Sequence, residues 1–138
     1  MLALSISEIK AFMAKLLKDN CFDDFQLKSA VVDSFARFEV SADDVVLWAA
    51  VRNYVFDFIK GGVAPKLIRV ILCADVEKAG IENAGALFIN IQFEGGKINL
   101  TTGMSQKNFS LDKTGDHAWD DAVLRFLDDN NIKYSNEI

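Results

Sequence analysis

Few residues in this 138-residue chain belong to the types that carry out chemistry, and their spacing restricts what that chemistry is. His117 is the only histidine. That removes the H-E-x-x-H motif and every multi-histidine metal site. No G-x-x-x-x-G-K-[ST], G-x-G-x-x-G or G-x-S-x-G pattern occurs, so phosphate-loop, dinucleotide and nucleophile-elbow chemistry have no anchor. The Asp doublets 23–24, 43–44, 120–121 and 128–129 invite a metal or acid–base reading. Neighbouring residues on a helix do not face each other, however, and three of the four doublets fall at or near expected helix ends, where they read as solvated charge. No residue is assigned a catalytic role, and neither a metal nor a cofactor is expected.

Two local clusters stand above that background. Between Arg52 and Arg69 the cations Arg52, Lys60, Lys66 and Arg69 face the single acid Asp57, in a chain of net charge −5 and pI about 4.8. Lys60, Lys66 and Arg69 are expected to converge on a phosphate or carboxylate near Gly61 and Gly62, which allow close backbone approach. The competing reading is a helix C-terminus decorated with cations, plus an edge arginine whose charge meets an internal carboxylate. The second cluster is polar: Thr101, Thr102 and Ser105, with His117, as the lining of a ligand groove. Its competitor is an ordinary solvated strand face.

The elements that must position these groups follow from periodicity. Gly95-Gly96 suits the tip of a two-residue β-hairpin spanning Ala86–Gly103. Pairing outward sets Glu94 against Lys97, Phe93 against Ile98, Gln92 against Asn99, Ile91 against Leu100, Asn90 against Thr101 and Ile89 against Thr102. One face is then apolar (Leu87, Ile89, Ile91, Phe93, Ile98, Leu100). The other carries Asn90, Gln92, Asn99 and Thr101, with Phe88 as the exception.

Leu67–Ala74 is a nearly continuous apolar run and is placed centrally in the sheet. Phe22–Val40 is strand territory whose apolar phase changes near Val32-Asp33-Ser34; a tight turn or a bulge would do this, and the turn is preferred. Phe109–Leu111 reads as one more short strand. Leu2–Leu4 makes a short strand. Ser5 with Glu8 then reads as a capping box, and Leu4 with Ile9 as a hydrophobic staple, opening a first helix. Ser41–Asp44 signals a second helix over Val46–Lys60, apolar around most of its circumference and so largely buried. Asp75–Ala84 is a charged connection with one helical turn. Asp116–Asn130 is the last helix, its stripe of Trp119, Ala122, Val123, Phe126 and Leu127 demanding a buried Trp119. Residues 132–138 read as a polar tail. The fold class is α+β: one mostly antiparallel sheet of five or six strands with three helices packed mainly on one face, in a single domain over residues 1–138.

The pieces MLALSISEIKAFMAKLL, the helix ending IKGG, the hairpin and the closing FSLDK…HAWDD…FL together resemble a small uncharacterised bacterial family, a domain of unknown function. The resemblance implies a bacterial, cytoplasmic protein and no particular activity. In topology alone the strand–helix–strand–strand–helix order resembles the repeat of DNA sliding clamps, which would imply a nucleic-acid accessory.

Composition narrows the rest. Hydrophobic residues make up 51% of the chain, enough for a core. The acidic balance argues against a nucleic-acid binder driven by bulk charge. Cys21 and Cys73 form neither a disulfide framework nor a C-x-x-C motif, which suits a reducing, cytoplasmic compartment. The longest apolar run, Val45–Val51, falls far short of the ~20 residues of a membrane span. The favoured function is a non-enzymatic binding or interaction domain, with a homo-oligomer or another protein as partner. Apolar surface left over on the second helix, or on the Phe88 side of the hairpin, would mark that interface. The alternative is a small enzyme or ligand-binding protein that holds an anionic substrate on the basic patch, with Ser105 or His117 as the reactive group. A pocket joining Arg69, Ser105 and His117 would favour the enzyme; a flat, partly apolar sheet face would favour the interaction domain.

Overall fold

In the computed structural model, which describes residues 1–60 and 63–136, antiparallel pairing organises nearly everything. The strands are β1 (Ala3–Ile6), β2 (Gln26–Asp33), β3 (Arg37–Ser41), β4 (Leu67–Ala74), β5 (Ala84–Glu94), β6 (Lys97–Gln106) and β7 (Tyr134–Asn136), and the helices are α1 (Ile9–Leu17), α2 (Trp48–Ile59), α3 (Val76–Ala79) and α4 (Thr114–Asp129). They form one seven-stranded sheet in the order β3-β2-β4-β5-β6-β1-β7. The fold is α+β, with seven strands where five or six were expected and four helices where three were expected; α3 is the expected helical turn of the charged connection.

The β5–β6 hairpin has the expected register at every rung from Glu94↔Lys97 to Ile89↔Thr102. Gly95 and Gly96 sit at φ 62° and 73°, the left-handed region that the turn requires. Because pairing partners share a face, the ladder carries one apolar surface across the sheet: Val32, Ile68, Val70, Ile89, Ile91, Ile98, Leu100 and Leu4. All of these are buried, under a layer to which Phe12 and Leu16 of α1, Trp48 and Val55 of α2 and Trp119, Val123 and Leu127 of α4 contribute. β4 lies centrally between β2 and β5, and its alternating residues Ile68, Val70 and Leu72 are fully covered. The opposite face carries none of these buried helical side chains.

Several local expectations give way to tertiary pairing. Ser5 and Ile6 belong to β1, which bonds to β6 on one side and β7 on the other. α1 therefore starts only at Ile9, behind Glu8, with no side-chain cap, and the Ser5–Glu8 capping box and Leu4–Ile9 staple do not form. Two flanking ladders offer more main-chain hydrogen bonds than one helical turn does. The Ser41–Asp44 signal is displaced likewise. Leu27 N–H donates to Val46 O and Trp48 N–H to Phe25 O, so the chain stays extended and α2 begins at Trp48.

A turn at Ser34–Ala36 separates β2 from β3 as expected, and a bulge between Leu27 and Ser29 shifts the phase a second time. The bulge turns Ala30 and Val32 inward and leaves Val31 on the open face. Phe109–Leu111 is a loop and not a strand. The expected tail is in part structural: Ile132 is buried and Tyr134–Asn136 pairs with β1. Finally, α2 is less buried than its composition suggests. Only Trp48 and Val55 are fully covered, and Tyr54 is 66% exposed.

Candidate functional site

The expected anion site divides between the two sides of the sheet. Arg69 alternates with the inward Ile68 and Val70, so its side chain lies on the open face, where Nε donates to Gln92 Oε1 at 3.2 Å. Lys60 belongs to the helix layer at the end of α2 and pairs with Asp57 at 3.0 Å. Lys66 is exposed at the entry to β4, its N–H donating to Asp33 O. Gly61 and Gly62 lie outside the described residues. Arg52, the fourth cation of the run, has an internal carboxylate. Its guanidinium meets both oxygens of Asp23, at 2.8 and 3.3 Å, and also donates to Leu17 O and Lys18 O at the end of α1. It ties α2 to the C-terminus of α1, a two-pronged role that suits arginine.

The expected polar groove divides in the same way. Thr101 is on the open face beside Asn90, whereas Thr102 points inward and is 3% exposed. Its hydroxyl accepts from Leu2 N–H at 2.8 Å and donates to Asp120 Oδ1 at 2.6 Å, so its polar capacity is taken up in joining β6 to β1 and α4. Ser105 is exposed on the open side, and His117 is exposed in the first turns of α4, on the helix side. Arg69, Ser105 and His117 share no cavity.

The open face is mixed. Val31, Ile71, Cys73 and Phe88 are half-buried among Asn90, Gln92, Asn99 and Thr101, and Lys28 Nζ stands 5.7 Å over the Phe88 ring. Burial raises the pKa of both Cys73 and Cys21, which keeps the thiols protonated and poorly nucleophilic. Among the described residues no three His, Cys, Asp or Glu side chains gather to hold a metal ion, and no helix is long and apolar enough to cross a membrane.

Two concavities merit comparison. A cavity of about 770 Å³ lies between the 79–83 connection, the 106–112 loop and the start of α4. Several of its polar groups satisfy one another: Asn83 exchanges two hydrogen bonds with the main chain of Asn108, Gln106 accepts from Ser110 N–H, and Asp112 accepts from both the N–H and the hydroxyl of Thr114.

The other concavity, about 460 Å³, is a groove between α1 and α2 over the ends of β4 and β5. Met13 and Leu17 form one wall, Phe56 and Ile59 the other, and Ile68 and Phe93 the floor. Lys10, Lys18 and Lys60 stand on its rim. Lys18 Nζ and Lys60 Nζ lie 5.4 and 5.6 Å from the centre of the Phe56 ring, within the range of a cation–π contact.

This groove arises because α1 has two apolar stripes. Phe12 and Leu16 enter the core, while Ile9, Met13 and Leu17, each one turn apart, border the cleft. The readable signal was the surplus, since one sheet-facing stripe needs fewer apolar residues than α1 carries.

A family model, that of a family of unknown function (DUF5721), matches residues 15–135, and the chain belongs to that family. No curated protein and no solved structure matches the chain.

Proposed function

We propose that this chain, a member of a family with no assigned activity, is a non-enzymatic binding domain that holds an amphipathic anion, an apolar body bearing a carboxylate or phosphate, in the α1–α2 groove. The observation that carries this reading is the composition of the groove. Nine apolar residues line a cleft of about 460 Å³, and three lysines stand on its rim in a protein of net charge −5. A cleft of that size falls within the ~300–1,000 Å³ of small-ligand sites. Apolar burial would supply the affinity, and the lysines would select the sign of the head group. Lys60 keeps the anion-binding role expected of it, with Lys10 and Lys18 as its companions. The exposed ion pair of Lys60 with Asp57 is weak and exchangeable. The separation of Arg69 and Ser105 from His117 also supports binding over catalysis, because it leaves Ser105 and His117 out of reach of one another.

The test is a thermal-shift series with long-chain carboxylates and alkyl phosphates against alcohols of equal chain length. The acids are expected to raise the melting temperature and the alcohols to do so less. Met13→Trp, which fills the cleft from its wall, is expected to abolish the shift. Equal shifts with the alcohols, or a shift that survives Met13→Trp, would remove the reading.

A further inference from the structure

β3 ends the sheet, and among the described residues no strand lies on its outer edge. Its hydrogen-bonding phase follows from the flanking bonds. Ser34 N–H donates to Ala36 O at 3.0 Å and Ala42 N–H to Lys28 O at 3.1 Å, on either side of the register Arg37↔Asp33 to Ser41↔Ser29. In an antiparallel ladder the bonded pairs alternate. Ala36, Phe38, Val40 and Ala42 therefore turn their main-chain groups toward β2, whereas Arg37, Glu39 and Ser41 turn theirs outward, to a strand position that is vacant at the end of the sheet.

Beside this edge, on the helix side, lies an aromatic ladder. Phe38 stacks on Phe58 of α2 at 4.7 Å and 4°, and Phe35 meets Phe38 edge-on at 5.5 Å. Phe35 is 69% exposed. So is much of Tyr54, one turn before Phe58 on the same flank of α2. An exposed strand edge with aromatic flanks is a liability unless it is covered.

We propose that the chain forms a symmetric dimer in which two β3 strands pair antiparallel about Phe38, continuing the sheet across the two-fold. A two-fold normal to the sheet keeps each copy's helices on the same side and allows only registers that match like faces. Centred on Phe38, the outward residues form the bonded pairs Arg37–Glu39 and Glu39–Arg37, giving about four main-chain hydrogen bonds. On the open face Arg37 already meets Glu39 of its own strand at 2.7 Å. The second copy completes a checkerboard in which every charge faces its opposite. On the helix side the two Phe38 rings meet at the narrow, non-bonded position, flanked by Phe35 and Phe58 of each copy. The adjacent register, centred on Glu39, would set Glu39 against Glu39 and is disfavoured by like charge. The same row thus selects one register and penalises the next.

The experiment uses charge reversal on the intact chain, with molar mass followed by sedimentation equilibrium. Arg37 and Glu39 are well exposed, so Arg37→Glu and Glu39→Arg are expected to leave the unfolding midpoint of the monomer, read at a concentration below dimerisation, unchanged. The unmodified chain is expected to dimerise at micromolar concentration. Each single reversal is expected to weaken self-association by about tenfold or more. An equimolar mixture of the two variants is expected to dimerise again, because every facing pair is then opposite in sign, and the double reversal is expected to restore the homodimer. A chain that remains monomeric at high micromolar concentration overturns the proposal and leaves the edge to an extended segment of another protein. A dimer indifferent to both reversals, or one weakened by Glu39→Arg alone, overturns the interface or its register.

Discussion

Replacing Trp119 by alanine removes the side chain that fastens α4 to the sheet, and its cost can be worked from the geometry. The residue is 5% exposed, and its indole N–H donates to Phe88 O at 3.0 Å. A tryptophan buries roughly 150–250 Å², which at about 25 cal/mol per Å² gives about 4–6 kcal/mol. The retained methyl and a partly compact unfolded chain bring this down to the ~3–5 kcal/mol typical of large aromatic truncations. Within that sum the lost hydrogen bond to the Phe88 carbonyl, which still pairs with Gly103 in the β5–β6 ladder, accounts for about 0.5–1.5 kcal/mol. Trp119→Phe isolates this part, since it keeps most of the apolar area and loses the donor. Only two tryptophans are present, so Trp48, fully buried under α1, reports unfolding in either variant. With a urea slope of about 2 kcal/mol per M, the alanine variant is expected to lose about 2 M in its midpoint and the phenylalanine variant about a third to a half of that. An unchanged midpoint in Trp119→Ala would refute the packing argument. Equal losses in both variants would refute the division between area and hydrogen bond.

Gly96→Val is expected to destabilise by about 1–2 kcal/mol through backbone strain at φ 73°, since no atom lies within 4 Å of the added Cβ; urea denaturation checks this, and a neutral result would mean that the turn adopts another form. Burial holds the pKa of both thiols above the ordinary value of 9.0, so below that pH the folded chain presents less thiolate than a free cysteine does. Labelling of Cys21 and Cys73 by a disulfide reagent at pH 8 is expected to be slower than that of a model thiol, and its rate to keep rising with pH after that of the model thiol has levelled off; rates equal to the model thiol would contradict the burial argument.

The central sheet was legible in the sequence because its information is local and two-sided. In the β5–β6 hairpin the tip and the polar–apolar alternation point to one register, and a slip of one residue would expose Ile89, Ile91 and Leu100. The stripe led by Trp119 was legible for the same reason. What failed was local signal set against distant partners. Ser5 and Glu8 carry a helix start, yet Ser5 lies between Asn99 of β6 and Ser135 of β7, neither of which is near it in sequence. Phe109 and Leu111 have strand-like alternation but no ladder to join, and they stand 88% and 84% exposed on a loop. The basic cluster failed as a cluster because a strand sends successive side chains to opposite faces. Proximity in sequence between Lys60 and Arg69 therefore carried no information about the side of the sheet each would occupy. The α1–α2 groove was hidden for another reason: its walls come from helices whose separation only the intervening strands determine.

The position of β1 has a consequence for the order in which the protein assembles. Leu2 and Thr102, joined by a hydrogen bond, are 100 residues apart in sequence, whereas the β5–β6 hairpin closes through two glycines. Loop-closure entropy favours the short circuit by a wide margin, so the hairpin is the natural nucleus, with β4 adding beside it. β1 can enter only after β6 exists to receive it, and β7 only after β1. The outer third of the sheet is therefore a late structure whose loss speeds unfolding more than it slows folding. Substitutions at Leu4 or Ile6 should appear mainly in the unfolding limb of a chevron plot, and those at Ile91 or Leu100 in the folding limb.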